Sequence, residues 1–172
     1  MNGFQVWVNL PRRDKMMKPR YQEIPKSKVP VGRSADGKAE VRVIAGESLG
    51  VQAVIETRTP IMYLHFTIRP GGAVDQKVPA AFNALAYAFR GQGAVNGKAL
   101  GEGQMAMFGP GTLVQVGVPA AAKEPLELLL LAGQPLNEPV ARYGPFVMNT
   151  KEEISQAFDD YKAGRLGAIA PA

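Results

Sequence analysis

The chain has 172 residues, of which 46% are hydrophobic, and its net charge is +5. This length and composition predict one domain that can fold unaided. The absence of cysteine excludes disulfide frameworks, thiolate metal sites and cysteine nucleophiles. Residues 1–10 lack a secretory signal pattern, and the longest apolar run, residues 128–132, is far shorter than the ~20 residues that span a bilayer. We therefore expect a cytoplasmic protein without a membrane segment.

Positive charge is concentrated near the N-terminus, because residues 12–38 hold nine basic and three acidic side chains. The candidate interaction residues are the first five of these cations: Arg12, Arg13, Lys15, Lys18 and Arg20. Such a cluster favours an anionic partner, although a solvated loop is the simpler interpretation. Tyr21 is the only aromatic residue in the segment, which argues against nucleic acid as the partner.

Short segments with two-residue alternation, separated by glycine and proline, indicate β-strands. The predicted strands are residues 4–9, 40–44, 51–55, 62–69, 83–90, 105–108, 112–118 and 126–132. This rhythm is typical of a β-sandwich or barrel. In segment 62–69, Met62, Leu64, Phe66 and Ile68 share the face expected to meet the core. His65, the only histidine, lies on the other face and is interpreted as a surface or interface residue.

Two of the predicted strands, residues 83–90 and 126–132, are apolar on both faces. Strands of this kind are normally covered on both sides. The barrel interior would cover one face, and the terminal helix or a companion domain would cover the other. Because a large exposed apolar patch is rare in monomers, this pattern predicts a homodimer or a complex with another chain.

One helix is predicted near the C-terminus, over residues 150–167. Ile154, Ala157, Phe158 and Tyr161 recur at three- and four-residue spacing and form one apolar face. Thr150 and the glutamate three residues later form a capping-box pattern, and Gly164 suits the C-terminal stop.

No catalytic pair or nucleotide-binding loop is evident in the sequence. Glu47 and Ser48 lie in what reads as a tight connection and are given a structural role. The glycine pairs at 91 and 93 and at 101 and 103 are interpreted as hairpin turns, since they lack the context of a phosphate-binding loop. We therefore predict no catalytic and no cofactor-binding residue in this chain.

Two stretches resemble the two signature motifs of the cupin superfamily, in which histidines and a glutamate on adjacent strands hold one divalent metal. The first runs from Gly72 to Gly91 and the second begins at Gly103, both with the motif spacing. The residues at the four ligand positions are apolar: Val78, Ala80, Ala84 and Val114. Because these side chains carry no donor atom, the resemblance implies a cupin-type jelly-roll sandwich without a metal site.

Four longer segments resemble the pirins, a family of two-cupin proteins. They are FQVWVNLP at residues 4–11, VIAGESLG at 43–50, TRTP at 57–60 and GPFVMNTKEEI at 144–154. Their order matches the C-terminal half of a pirin, from about residue 4 to residue 167. The resemblance implies that the iron ligands of the family belong to the N-terminal cupin half, so no cofactor is expected in this chain and no catalytic residue is carried over.

The resulting expectation is a mainly β chain divided into an N-terminal strand and basic loop (1–39), a metal-free cupin domain (40–149), a helix (150–167) and a tail (168–172). Its leading function is that of a structural or binding half that packs against a metal-bearing cupin or against itself. Alternatives are a quercetin 2,3-dioxygenase subunit, active only with the iron-bearing half, and a transcription-related interaction module using the basic loop. A truncated gene or fragment without a separate function is a further interpretation.

Overall fold

Antiparallel β-strands build most of the chain in the computed structural model, which describes residues 3–167. These residues form two compact units, one of residues 24–135 and one of residues 3–23 with 136–167. The strands of the first unit are β1 (Val31–Arg33), β2 (Ala39–Ala45), β3 (Glu47–Ser48), β4 (Val51–Gln52), β5 (Ile61–Ile68), β6 (Ala73–Lys77), β7 (Asn83–Arg90), β8 (Gly93–Val95), β9 (Lys98–Leu100), β10 (Met105–Met107), β11 (Leu113–Gly117) and β12 (Leu126–Gly133). A 3-10 turn at Lys26–Lys28 precedes them.

Residues 24–135 form a β-sandwich. One sheet has the strand order β1-β2-β5-β12-β7-β10, the other β6-β11-β8-β9, and β3 pairs with β4 as a separate hairpin. The central strand β12 places Leu130 opposite Leu64 of β5 and Ala86 of β7, and all three side chains are fully buried. Inward-facing residues of both sheets, such as Phe66 and Val116, join one hydrophobic core. The predicted mainly β fold with one C-terminal helix is confirmed.

Strand β7 has small residues on its inner face and large ones on its outer face. Ala86 and Ala88 are fully buried in the core, whereas Leu85, Tyr87 and Phe89 remain partly exposed. The small inward residues let the two sheets approach closely. The large side chains of this strand point away from the core.

The second unit contains a 3-10 turn (Arg12–Asp14), the hairpin β13 (Ala141–Tyr143) and β14 (Phe146–Met148), and helix α1 (Lys151–Lys162). The predicted capping box is confirmed: the Glu153 amide donates to Thr150 Oγ1 at 3.2 Å, and the Glu153 carboxylate accepts from the Thr150 amide at 3.1 Å. Gly164 has a φ of +68°, as expected at the helix stop. The helix packs on its own hairpin, with Phe158 edge-on to Phe146 at 4.9 Å between ring centroids.

Several predicted elements were wrong. Residues 4–9 are not a strand, and Trp7 is 76% exposed, so hydrophobic alternation alone does not make a strand here. The strand predicted at 51–55 ends at Gln52. Seven strands of two to five residues were missed: β1, β3, β6, β8, β9, β13 and β14. Within the two compact units, β1 pairs with β2 and β13–β14 packs with α1.

No helix among residues 3–167 is long and apolar enough to cross a membrane. The predicted tail at 168–172 lies outside the described residues.

Candidate functional site

The four residues at the cupin ligand positions lie around one end of the sandwich. Val78, directly after β6, and Val114 of β11 are buried in the core, 5% and 3% exposed. Ala84 of β7 packs against the same core, and Ala80 is exposed at its edge. The inward direction of Val78, Ala84 and Val114 agrees with the motif alignment made from the sequence.

These positions do not fit an iron ion. Metal coordination needs imidazole, carboxylate or thiolate donors, and valine and alanine offer none. Within residues 3–167, no group of three or more histidine, aspartate or glutamate side chains is placed to hold a metal. We therefore assign no step of an iron reaction to these four positions.

A cavity of about 800 Å³ opens at this end of the sandwich, and we call it the mouth cavity. Its apolar lining includes Ile55, Met62, Val78, Ala80, Phe82 and Leu113. Its polar lining is Glu47, Gln52, Thr57, Lys77 and Thr112. Two of the positions that match ligand positions of the cupin motif, 78 and 80, thus form part of the wall of an open, mostly apolar pocket.

A buried polar pair fixes one side of the mouth cavity. Ser48 Oγ donates to Gln76 Oε1 at 2.6 Å, and Gln76 Nε2 donates to the backbone oxygens of Glu47 at 3.3 Å and Lys77 at 2.7 Å. Ser48 and Gln76 are 4% and 6% exposed. Because the Ser48 bond and the bond to the Glu47 oxygen join the β3–β4 hairpin to β6, we call this pair the hairpin clamp.

The tight connection predicted at Glu47 and Ser48 is confirmed as the β3–β4 hairpin. Its two turn residues, Leu49 and Gly50, both have positive φ, 47° and 75°, as a two-residue hairpin turn requires. Sequence reasoning missed Gln76. The available signal was a glutamine on the inward face of β6, between Val74 and Val78, where an apolar residue would be expected.

His65 lies on the outer face of β5, partly buried. Its Nε2 is 3.3 Å from Glu127 Oε2, and its ring is 5.2 Å from that of Phe89. Burial lowers the pKa of His65 from its usual value, while the nearby Glu127 opposes that shift. The ring thus belongs to a hydrogen-bonded and aromatic cluster on the sheet surface, outside the lining of the mouth cavity, and the prediction of a surface or interface histidine fits this placement.

The five predicted interaction residues are not five free cations. Arg12 forms an ion pair with Glu153 at 2.7 Å, and Lys15 Nζ donates to Asn9 Oδ1 at 2.6 Å and to the Val147 oxygen at 3.0 Å. Burial lowers the pKa of Lys15. Arg13 pairs loosely with its neighbour Asp14 at 3.6 Å, and Lys18 and Arg20 are exposed.

Arg12 instead joins a network that ties the N-terminal segment to the start of α1. Its backbone amide donates to Glu138 Oε2 at 2.8 Å, and the same oxygen accepts from Asn149 Nδ2 at 3.0 Å. The Glu153 carboxylate accepts from the Asn149 amide at 2.8 Å, which lowers the pKa of Glu153. Part of the predicted basic cluster therefore has a structural role within residues 3–23 and 136–167.

Comparison with known proteins relates this fold to one family. Residues 63–167 match the model of the Pirin C-terminal cupin domain. The chain is 42% identical to Pirin-1 of Arabidopsis thaliana over 170 residues, covering 96% of this chain and 58% of that protein. It is 39% identical to human Pirin over 172 residues, covering 96% of this chain and 57% of that protein.

A solved structure supports the same relationship. Quercetin 2,3-dioxygenase from Acinetobacter baumannii superposes with a TM-score of 0.84 at 34% identity, covering 95% of this chain and 56% of that one. The chain thus spans somewhat more than half the length of these relatives. Together, the family model, the sequence identities and the superposition show that the chain belongs to the pirin family and corresponds to its C-terminal cupin domain.

Proposed function

We propose that this chain acts as the metal-free binding half of a pirin-type assembly, packing against a metal-bearing cupin domain or a second copy of itself. The observation that carries the proposal is an intact cupin sandwich whose four ligand positions are apolar. Such a domain retains the surface needed for pairing but not the donors needed for metal chemistry. A cytoplasmic location remains a prediction.

The outer face of the six-stranded sheet is the surface we assign to the partner. Tyr87 and Phe89 of β7 are partly exposed there, and on the edge strand β10 Met105 is 56% and Met107 78% exposed. Aromatic and methionine side chains are enriched at the centres of protein interfaces, because they bury much area at little cost in polar desolvation. This composition supports a protein partner for that face.

Sedimentation velocity with the separately produced, iron-loaded N-terminal cupin half of a pirin tests this function. We expect a faster species that contains both chains. Met107→Asp should weaken the complex, whereas Val54→Asp, at a residue that is 54% exposed on a loop, should not. A chain that stays monomeric, alone and with the N-terminal half, would contradict the proposal.

A second candidate is a quercetin 2,3-dioxygenase subunit, active only when the iron-bearing half is present. The name of the Acinetobacter baumannii relative supports it, at 34% identity over 95% of this chain. In that case the iron chemistry would belong entirely to the other half. Oxygen uptake with quercetin should rise above that of the N-terminal half alone when this chain is added, and no rise would remove this candidate.

The third candidate, a regulatory interaction module, has less support. Arg12 and Lys15 are engaged within their own unit, which leaves fewer of the predicted cations for an outside partner. Contacts to phosphates weaken steeply as salt increases. Retention on an anionic column that barely changes with salt would remove this candidate.

A further inference from the structure

The mouth cavity has the size of a small-molecule pocket. We propose that it takes an uncharged, mostly apolar small molecule that carries a hydroxyl or carbonyl group. This inference is independent of the proposed pairing function, because every residue that lines the cavity lies between Gly46 and Leu113.

The size and lining of the mouth cavity suit such a ligand. Its volume of about 800 Å³ lies within the roughly 300–1,000 Å³ of typical small-molecule pockets. Val78 and Ala80 are shorter than the histidines that the cupin motif places at these positions, so they leave open volume where the histidine rings would lie. Ile55, Met62 and Phe82 add further apolar surface. An apolar molecule would gain stability by leaving water for this pocket.

The charges at the cavity indicate an uncharged ligand. Glu47 and Lys77 both line it, and both side chains are exposed. The Glu47 carboxylate would repel an anionic ligand and the Lys77 ammonium would repel a cationic one, so neither charge gains a net electrostatic attraction. The hydroxyls of Thr57 and Thr112 and the amide of Gln52 offer hydrogen bonds to a neutral polar group.

The wall of the cavity is held in place before any ligand arrives. The hairpin clamp, Ser48 with Gln76, binds the β3–β4 hairpin to β6 through two hydrogen bonds, and a third, from Gln76 to the Lys77 oxygen, fixes the Gln76 amide within β6. Gly46 continues the wall with a φ of +83°, and a Cβ there would lie 3.1 Å from the Ile61 oxygen. A preformed site loses little conformational freedom on binding, which favours affinity.

Titration of the full chain with 2-naphthol, followed by ¹H–¹⁵N NMR, tests the site. We expect saturable shifts confined to the cavity segments 46–62, 77–82 and 112–113. The anion 2-naphthoate, with the same ring system, should bind at least about fivefold more weakly because its charge must leave water. Shifts elsewhere only, no shifts at all, or equal binding of the anion would overturn the proposal.

Two variants sharpen the test. Ala80→Trp fills the cavity from an exposed position and should weaken 2-naphthol binding at least about tenfold. The matched control Ala121→Trp, at an exposed residue outside the cavity lining, should leave binding unchanged. Glu47→Gln removes the carboxylate without filling space and should reduce the preference for 2-naphthol over 2-naphthoate. Unchanged affinity in Ala80→Trp or an unchanged preference in Glu47→Gln would contradict the assignment.

Discussion

Replacing Ser48 with alanine tests the hairpin clamp in its simplest form. The substitution removes the 2.6 Å bond to Gln76 Oε1 and leaves that oxygen buried without its donor. A buried polar atom that loses its partner costs about 1–3 kcal/mol, since water cannot replace the lost bond. For a protein of this size, each kcal/mol corresponds to a melting temperature lower by about 2–4 °C.

A double-mutant cycle separates the clamp from general effects of substitution. Gln76→Met removes the amide but keeps the volume, and leaves the Ser48 hydroxyl without an acceptor. The double variant Ser48→Ala with Gln76→Met removes both the hydroxyl and the amide, so neither polar group is left buried without its partner. The double variant should therefore be more stable than the sum of the single effects by about 1 kcal/mol.

Urea unfolding of the full chain, followed by circular dichroism, measures these differences. Ser155→Ala, the same change at an exposed serine of α1, is the matched control and should stay within about 0.5 kcal/mol of the wild type. A Ser48→Ala variant as stable as this control, or single effects that add without coupling, would refute the clamp.

Three further predictions concern local structure and charge. Thr150→Ala should lower the stability of the chain by about 1 kcal/mol in urea unfolding, because the N-cap of α1 loses its side-chain acceptor, and Thr150→Ser should restore it. Gly91→Ala should destabilise the chain more than Gly97→Ala. Both glycines have positive φ, but only at Gly91 would a Cβ collide with the Pro125 oxygen. Equal unfolding midpoints for the two variants would contradict this prediction. The pKa of His65, measured by NMR on the only histidine, should lie below 6.5. The unfolded chain then binds the proton more readily than the folded chain. The stability that neutral His65 contributes should therefore be present above pH 6.5 and decrease as the pH drops towards the pKa of the folded state. The variant His65→Gln should show a smaller dependence of stability on pH.

The core strands were predictable because their alternation is long and strong. Segment 62–69 differs by one residue at each end from β5, and segment 83–90 coincides with β7. Helix α1 was equally clear, since periodicity and a capping box agree. By contrast, β8 and β9 have three residues each, too few for alternation to be visible. Residues 4–9 show the opposite failure, because their pattern is that of a strand but the structure has no strand there.

The candidate site was predictable only in part. The apolar character of Val78 and Val114 could be predicted from the sequence. The spacing of the cupin motif identifies the ligand positions, and the residues found there have no metal-donor atom. The cavity that results could not, since its volume depends on how the β3–β4 hairpin lies against β6. The pairing of Arg12 with Glu153 joins residues far apart in sequence, and no local pattern reports such contacts.

We propose that this cupin domain holds no iron of its own. The most direct measurement is the iron content of the purified, tag-free chain, by plasma mass spectrometry, after anaerobic loading with ferrous iron and desalting. Because the ligand positions offer no donor atom, we expect less than about 0.1 equivalent of iron per chain. A content close to about 1 equivalent would contradict it, because donors outside the cupin motif would then have to hold the metal.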